Sequence, residues 1–487
     1  MECQYSQLLD PFCWMLAESN QKSNFLTERH LQAIWLEQKY FKNLTTPDGQ
    51  TIEVISPGIW NAEAGPDFRK ALIKINSVEM RGDIEIHLSD ENWHYHQHHL
   101  DKRYNDVVLH VSLWEPKTAK TLTTSDGRPL VQTYLENCLT ISHNRLIKLI
   151  DLDLYPYKKF LGSGRCSQSL FRSLPEARII CFFQNAAHWR LAQKRSFLKE
   201  HLVDPAWLLA GGIAMALGYK NNALAFLELF TKLVQFIDRG EKTILALCLG
   251  MCGFFENRYF TQWLKSEVYL QLYETWVNLK IREPLESKLV LCNTRPLNHP
   301  VRRLAWLSKF ICDPTATTLY NTLCKTWQSH WPELKGPKNH PCLRKKLFGL
   351  LPGYQDTYWN SHYNFECESR DEFLPLIGED LKKIIMINAF FPLLQEEIHK
   401  RSDPQEMEAF AAFYANWPAA KNSKTKYLVH RFFGDTPKGT VMDKAMMEQG
   451  AYQLHRDFCV HFEASCEGCP FVDRFSLAYN LNCSHKT

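Results

Sequence analysis

The sequence predicts an α+β N-terminal domain, then a large all-α region, and last a short Cys-rich C-terminal tail that binds a metal. Three observations support this fold class. Strand-like patterns occur within residues 51–135, helical patterns fill residues 146–455, and a CxxC pair lies near the C-terminus. We therefore predict three domains with boundaries at 1–145, 146–455 and 456–487.

The composition is that of a folded protein in a reducing compartment. The chain has 487 residues, 45% of them hydrophobic and 23% charged, which excludes disordered, collagen-like and small disulfide-rich proteins. No apolar run approaches the roughly 20 residues that cross a bilayer, and residues 1–25 lack the features of an export signal. The 16 cysteines then indicate reduced thiols, so we expect a cytoplasmic location and no membrane partner.

The N-terminal domain is predicted element by element. A helix over residues 26–40, with Thr27 as a possible N-cap, comes first. Three strands follow, over residues 51–56, 71–75 and 83–88, with turn-like dipeptides at Asn76-Ser77 and Arg81-Gly82. A polar helix over 91–104, a Val-rich buried strand over 107–113 and a strand over 129–135 complete the domain. The order is helix, three strands, helix, strand.

The middle region carries apolar residues at helical spacing almost throughout. Helices are predicted most clearly over residues 177–201, 205–217, 223–236, 264–279 and 378–398. No repeat of fixed period is strong enough to indicate a solenoid. We therefore expect a helical domain without internal repeats.

Acidic residues in the N-terminal domain form the most informative pattern. The strand period of two puts Glu85 and His87 on one face. An antiparallel return of the chain would bring Asp67 back toward Glu85. Neighbouring carboxylates repel each other unless a cation lies between them, and oxygen ligands suit Mg²⁺ or Mn²⁺. Glu28, on the face of the first helix that packs against the sheet, is the expected third acid.

This pattern resembles the PD-(D/E)xK restriction-endonuclease-like superfamily. The matching parts are Pro66-Asp67, a hairpin and Glu85-Ile86-His87, within an αβββαβ order. The resemblance implies that Asp67 and Glu85 bind Mg or Mn, that Glu28 completes the site, and that the protein hydrolyses phosphodiester bonds of DNA or RNA. His87 stands where the superfamily has a Lys, which bears on catalysis more than on fold. A neutral His can still orient or deprotonate a water.

Longer segments resemble an uncharacterised bacterial family, called domain of unknown function 2851. They are LTTPDGQTIEVISPGIWNAEAGPDF, RGDIEIHLSDENWHYHQHHLDKRYNDVVLHV, ALGYKNN and RPLNHPVRRLAWLS. Together these segments extend over nearly the whole chain, so the sequence is identified as a member of this family. Membership implies no activity, and the mechanism depends on the residues themselves.

A His-rich segment, WHYHQHHLD, keeps a transition-metal site open. On a helix, His94 and His98 would share a face, and so would His98 and Asp101. Two alternatives to a nuclease follow. One is a hydrolase with zinc or iron at this segment, and the other is a catalytically inactive nuclease-like module that binds nucleic acid or protein. The histidine at position 87, where the superfamily has a lysine, favours the inactive module.

The tail has four cysteines in the pattern C-x6-C-x2-C-x13-C: Cys459, Cys466, Cys469 and Cys483. A CxxC places two thiolates on one turn, where they can bind a soft metal. The spacing is similar to the C-x6-C-x2-C-x5-C loop of iron–sulfur DNA glycosylases, with a longer last gap. We predict a structural [4Fe–4S] cluster or Zn²⁺. A histidine could replace Cys483 in a zinc site, with His455, His461 and His485 as candidates.

Local charge predicts a nucleic-acid partner, DNA or RNA. Basic residues dominate residues 158–200 and 295–346, although the net charge is only +4. The second block is interleaved with aromatic residues: Trp306, Phe310, Trp327 and Trp331. Basic faces with aromatics suit a phosphate backbone and stacked bases. The alternative is an ordinary helical surface above a core that contains the aromatics.

Overall fold

Short strands in the N-terminal third form a six-stranded mixed sheet. Its strands are β1 Ile52–Ser56, β2 Ile59–Trp60, β3 Phe68–Ile75, β4 Val78–His87, β5 Val107–Ser112 and β6 Val131–Tyr134. The order across the sheet is β1-β3-β4-β5-β6, and β2 also pairs with β3. Pairing is antiparallel from β1 to β4 and parallel from β4 to β6. All the predicted strands are confirmed, and β2 is an additional one.

The structure is a computed structural model. It describes residues 4–9, 26–61, 64–116, 118, 121–150, 152, 155, 163–256, 261–287, 289, 291, 296–334, 336–420, 422–436, 441–461, 466 and 469–480. The α-helices among these residues are α1 Gln4–Gln7, α2 Glu28–Glu37, α3 Glu91–Tyr95, α4 His143–Leu149, α5 Glu176–His201, α6 Leu208–Leu217, α7 Tyr219–Leu233, α8 Glu241–Met251, α9 Glu267–Leu279, α10 Pro300–Cys312, α11 Leu319–His330, α12 His340–Leu350, α13 Glu379–Ile385, α14 Phe391–Arg401, α15 Pro404–Ala415, α16 Ser423–Phe433, α17 Ala445–Asp457 and α18 Phe471–Asn480.

Contacts divide the chain into two units. Unit 1 comprises Met1–Ile179, Ser423–Thr440 and Ala451–Thr487, and unit 2 comprises Ile180–Asn422 and Val441–Gly450. Unit 1 therefore contains the sheet together with residues from near the C-terminus. The predicted division into domains 1–145, 146–455 and 456–487 stays a prediction.

The β3–β4 hairpin sets the positions of the candidate site residues. Its turn is Asn76-Ser77, as predicted, and both residues have positive φ, 46° and 72°. Such turns match the right-handed twist of the paired strands. The other predicted turn, at Arg81-Gly82, is wrong, because both residues are paired within β4 opposite Leu72 and Ala71. The return strand therefore begins at Val78, five residues earlier than the sequence pattern indicated.

One face of the sheet packs against α2 and forms the core of unit 1. The core includes Ile84 and Ile86 of β4, and Leu31 and Trp35 of α2. Every residue of β5 is buried, as predicted for a central strand. Thr27 is the N-cap of α2, as predicted. Because side chains alternate along β4, the burial of its isoleucines on this face turns the intervening polar side chains to the opposite face.

The polar segment between β4 and β5 is only partly helical. The predicted helix over 91–104 is wrong after its first turn, because α3 ends at Tyr95. Gln97 then takes a left-handed conformation with φ 60°, and two 3₁₀ turns follow, His98–Leu100 and Lys102–Tyr104. A left-handed residue reverses the chain direction. The segment therefore folds back over the sheet rather than extending along one helix axis.

Residues from α5 onward are mainly helical, as predicted. The five segments that the sequence indicated as helices correspond to α5, α6, α7, α9 and the α13–α14 region. In that last segment the helix is interrupted by a π turn, Met386–Phe390. Within the described part of the chain, we find no helix with the length and apolar character needed to cross a bilayer.

Candidate metal centre

The hairpin brings Asp67 and Glu85 into direct contact on the polar face of the sheet. The backbone N–H of Asp67 donates to Oε2 of Glu85 at 3.0 Å, and the N–H of Ile86 donates to Oδ2 of Asp67 at 3.1 Å. Both side chains are buried, with exposed fractions of 8% and 5%. Each carboxylate is thus fixed by a backbone donor of the other strand region. The antiparallel return of the chain therefore brings Asp67 to Glu85, as the sequence predicted.

Glu28 belongs to the same cluster. Asn92 donates its side-chain N–H to Oε1 of Glu28 at 3.0 Å, and Gln32, one turn further along α2, donates to Oδ1 of Asp67 at 2.7 Å. Burial and the negative charge of Asp67 raise the pKa of Glu28 from 4.5 to about 7. Carboxylates that oppose each other's ionisation in this way are stabilised by a cation.

Three histidines complete the cluster on the side of Glu85. Oε1 of Glu85 lies 3.2 Å from Nε2 of His98 and 3.5 Å from Nε2 of His87. His87, His96 and His98 each offer a ring nitrogen, and these nitrogens all lie within 4.8 Å of one another. Tyr104 stacks on His98, with ring centroids 3.9 Å apart. The donor set therefore mixes carboxylate oxygens with imidazole nitrogens, a combination that suits Mn²⁺, Fe²⁺ or Zn²⁺ as well as Mg²⁺.

The histidines of the His-rich segment do not pair as predicted. The expected faces, His94 with His98 and His98 with Asp101, required a continuous helix. Because α3 ends at Tyr95, the ring of His94 lies against His99, 4.5 Å between centroids, instead of against His98. The Asp101 carboxylate binds Arg103. His98 turns toward Glu85 instead, so the segment contributes to the carboxylate cluster rather than forming a separate site.

A buried chain of hydrogen bonds begins at Nδ1 of His87. Nδ1 of His87 lies 2.8 Å from Nε2 of His110, and Nδ1 of His110 lies 3.3 Å from Oδ1 of Asp90. Burial opposes the ionisation of Asp90, but hydrogen bonds from His110, Ser112 and Tyr134 outweigh it and lower the pKa of Asp90. An ionised Asp90 holds the proton of His110 on Nδ1. Nε2 of His110 can then accept a hydrogen bond from Nδ1–H of His87, which leaves the lone pair of His87 Nε2 directed at the cluster.

His87 is neutral in this environment. Burial is the main cause, followed by the nearby His110, His98 and His96, and together they hold its pKa well below the usual value. A neutral imidazole can bind a metal or accept a proton from water. The sequence indicated His87 but not its support by Asp90. The available signal was His110, which is polar in an otherwise apolar strand and pairs with Glu85 in the sheet register.

Other residues singled out in the sequence lie elsewhere. Asp83 accepts the backbone N–H of Lys70 at 3.0 Å, outside the cluster. Trp306, Phe310 and Trp327 are fully buried, so the expectation that they form a stacking surface is wrong, because they pack in the helical core. Of the tail cysteines, Cys459, Cys466 and Cys469 are described, whereas Cys483 lies outside the described residues.

The mixed sheet therefore carries a largely buried cluster of carboxylates and imidazoles. The chain belongs to a family described as "Protein of unknown function (DUF2851)", whose model matches residues 28–423. The matched region begins at Glu28 and includes every residue of the cluster. No curated protein matches the chain, and no solved structure matches it.

The stability of the metal-free protein should depend on the ionisation of Glu28. Because its pKa is raised from 4.5 to about 7, the folded chain retains a proton that the unfolded chain releases, so stability falls as pH rises through this window. Glu28→Gln resembles the protonated acid. In the presence of a chelator, we expect the stability of this variant to be within about 1 kcal/mol of wild type at pH 5. At pH 8 it should be more stable than wild type by up to about 3 kcal/mol.

Thermal unfolding at both pH values measures this difference. Glu53→Gln is the control, because Glu53 is exposed on β1, outside the cluster. Excess Mn²⁺ should restore wild-type stability at pH 8, since a bound cation favours the ionised carboxylate. Equal unfolding temperatures of wild type and Glu28→Gln at pH 8 in chelator would contradict a raised pKa.

Proposed function

We propose that the protein is a metal-dependent nuclease that hydrolyses phosphodiester bonds of DNA or RNA, with Mg²⁺ or Mn²⁺ held by Asp67 and Glu85. The observation that carries this proposal is the direct contact of these two acids, with Glu28 in the same cluster. The helix–strand order around them supports a restriction-endonuclease-like core. A nuclease of this kind acts in the cytoplasm, in keeping with the reduced thiols expected from the sequence.

The donor set fits a divalent cation. Burial raises the pKa of Glu28, and the charge of Asp67 raises it further, so a cation next to these two acids would favour their ionised forms. A bound divalent ion supplies two effects there, since it lowers the pKa of a coordinated water and stabilises negative charge on a phosphoryl oxygen. The imidazole nitrogens next to Glu85 favour Mn²⁺ over Mg²⁺.

The chain's own residues have separate tasks in this proposal. Asp67 and Glu85 orient the cation, because each is fixed by a backbone N–H. His87 takes the place of the lysine in the resemblance, and its neutral ring can accept a proton from the attacking water at Nε2. Asp90 and His110 hold His87 in the tautomer that this requires.

A nuclease assay tests the proposal. Full-length protein is incubated with single- and double-stranded DNA and RNA in Mn²⁺ or Mg²⁺. We expect Mn²⁺-dependent cleavage of at least one substrate, reduced about 100-fold or more in Asp67→Asn. Asp83→Asn is the matched control. Asp83 lies on the same strand as Glu85, but its carboxylate accepts the backbone N–H of Lys70 and is not part of the cluster. Binding of nucleic acid without cleavage in either metal would contradict the nuclease and favour an inactive binding module.

A second candidate function is a zinc or iron hydrolase of a small substrate. It is favoured by the three histidine nitrogens that lie within 4.8 Å of one another. Metal analysis distinguishes the two functions. A hydrolase of this class should retain zinc or iron that is lost in His96→Asn but kept in Cys466→Ser, whereas the proposed nuclease should bind Mn²⁺ reversibly and lose that binding in Asp67→Asn.

A further inference from the structure

Four cysteines from two distant parts of the chain line one cavity in unit 1. Cys166 directly precedes a π turn, Ser167–Phe171. Cys459 begins a 3₁₀ turn after α17, and Cys466 and Cys469 precede α18. The rest of the lining is mostly apolar and includes three phenylalanines: Phe432, Phe458 and Phe471. The cavity therefore places four thiols in an environment with little water.

Three of the four cysteines are buried: Cys166, Cys459 and Cys466 are each 8% exposed. The backbone N–H of Cys469 donates to the carbonyl of Cys466 at 3.2 Å, which keeps the CxxC pair on one tight turn. All four are free thiols rather than disulfides.

A buried cation faces these sulfurs. Arg431, on α16, is only 1% exposed, and its Nη2 donates to Sγ of Cys466 at 2.8 Å. Burying a guanidinium is costly unless a negative charge lies nearby. A metal-bound thiolate at Cys466 would supply such a charge. The backbone carbonyl of Arg431 also accepts the N–H of Gly164 at 2.7 Å, so the cation is tied to the segment that carries Cys166.

We propose that Cys166, Cys459, Cys466 and Cys469 bind one thiophilic metal centre, either Zn²⁺ or an iron–sulfur cluster. Cys166 then supplies the fourth thiolate that the sequence pattern assigned to Cys483. A set of four protein thiolates leaves no open position, so the centre is structural. It links the segment before α5 to the tail within unit 1. The inference does not depend on the proposed nuclease activity.

Metal analysis of purified full-length variants tests this assignment. Wild type prepared without oxygen should contain about one zinc or about four iron per chain, and iron would add broad visible absorption. Cys166→Ser should lose this metal at least about tenfold, as Cys466→Ser should. Cys483→Ser and Cys181→Ser should retain it, and Cys181 is an exposed cysteine that serves as the control.

Two results would overturn the proposal. One is wild-type protein without stoichiometric zinc or iron, in which case the cysteines are simply buried thiols that pack as small apolar residues. The other is Cys166→Ser with full metal content. Since Cys166→Ser could also fail to fold, alkylation of wild-type cysteines provides a second measurement. Removing the metal with a chelator should expose Cys166, Cys459, Cys466 and Cys469 together. If Cys166 is alkylated at the same rate with and without the metal, it is not a ligand.

Discussion

Replacing Glu85 with glutamine is expected to lower Mn²⁺-dependent cleavage by about 100-fold or more and to weaken Mn²⁺ binding by at least about tenfold. Glutamine has nearly the same shape, and its one carbonyl oxygen can still accept the backbone N–H of Asp67. What it lacks is the negative charge, and its amide N–H groups cannot bind a cation. Glu85→Gln should therefore weaken metal binding without disrupting the fold of the hairpin.

Three measurements on the same protein separate these outcomes. Calorimetric titration gives the Mn²⁺ affinity, a cleavage assay gives the rate, and thermal unfolding shows whether the variant is folded. Asp83→Asn, which removes a carboxylate from the same strand outside the cluster, should match wild type in all three. A Glu85→Gln variant that binds Mn²⁺ and cleaves within about threefold of wild type would show that Glu85 is not a metal ligand.

Replacing Arg302 with methionine is expected to lower the stability of unit 2 by about 3–5 kcal/mol. Arg302 lies on α10 and is fully buried. Its guanidinium donates to four backbone carbonyls: those of Trp359, His362, Leu374 and Pro375. Methionine fills a similar volume but removes all four of these hydrogen bonds, although the carbonyl of Leu374 still accepts from the side chain of Asn360 at 2.9 Å. Each buried polar group that loses its partner costs about 1–3 kcal/mol.

The loss should be localised in the irregular segment that these carbonyls belong to. Residues 351–378 contain no α-helix or strand, so Arg302 supplies hydrogen bonds that regular structure would otherwise provide. Urea unfolding measures the stability, and limited proteolysis should cut this segment earlier in Arg302→Met than in wild type. Lys345→Met, at an exposed position of α12, is the control. Unchanged protease resistance of the segment would refute the assignment.

The strands and the carboxylate pair were predictable because they depend on local periodicity. Alternation along 83–88 places Glu85 opposite the apolar face, and a two-residue turn returns Asp67 to it. Both follow from strand geometry alone. The error at Arg81-Gly82 arose because the glycine in β4 signals close backbone packing instead of a turn. A Cβ there would lie 2.3 Å from Val108 of β5.

The histidine arrangement and the fourth cysteine were not predictable, for two different reasons. The faces of the His-rich segment depended on α3 continuing, and a single left-handed residue, Gln97, ended that periodicity. Cys166 is far from the tail in sequence, and no spacing rule connects it to the CxxC pair. Its proximity depends on how α16 and α18 pack in unit 1, which is tertiary information.

Unit 1 is built from both ends of the sequence, and this affects how the protein folds during its synthesis. Tyr5 donates to the carboxylate of Asp457, Arg474 donates to the carbonyl of Leu8, and Val460 belongs to the core beside the sheet. During translation, the N-terminal sheet must wait roughly 10–50 s while residues 180–422 are synthesised before these partners emerge from the ribosome. The nascent sheet therefore exposes apolar surface that chaperones can recognise. A recombinant fragment that stops before residue 423 would keep that surface exposed permanently.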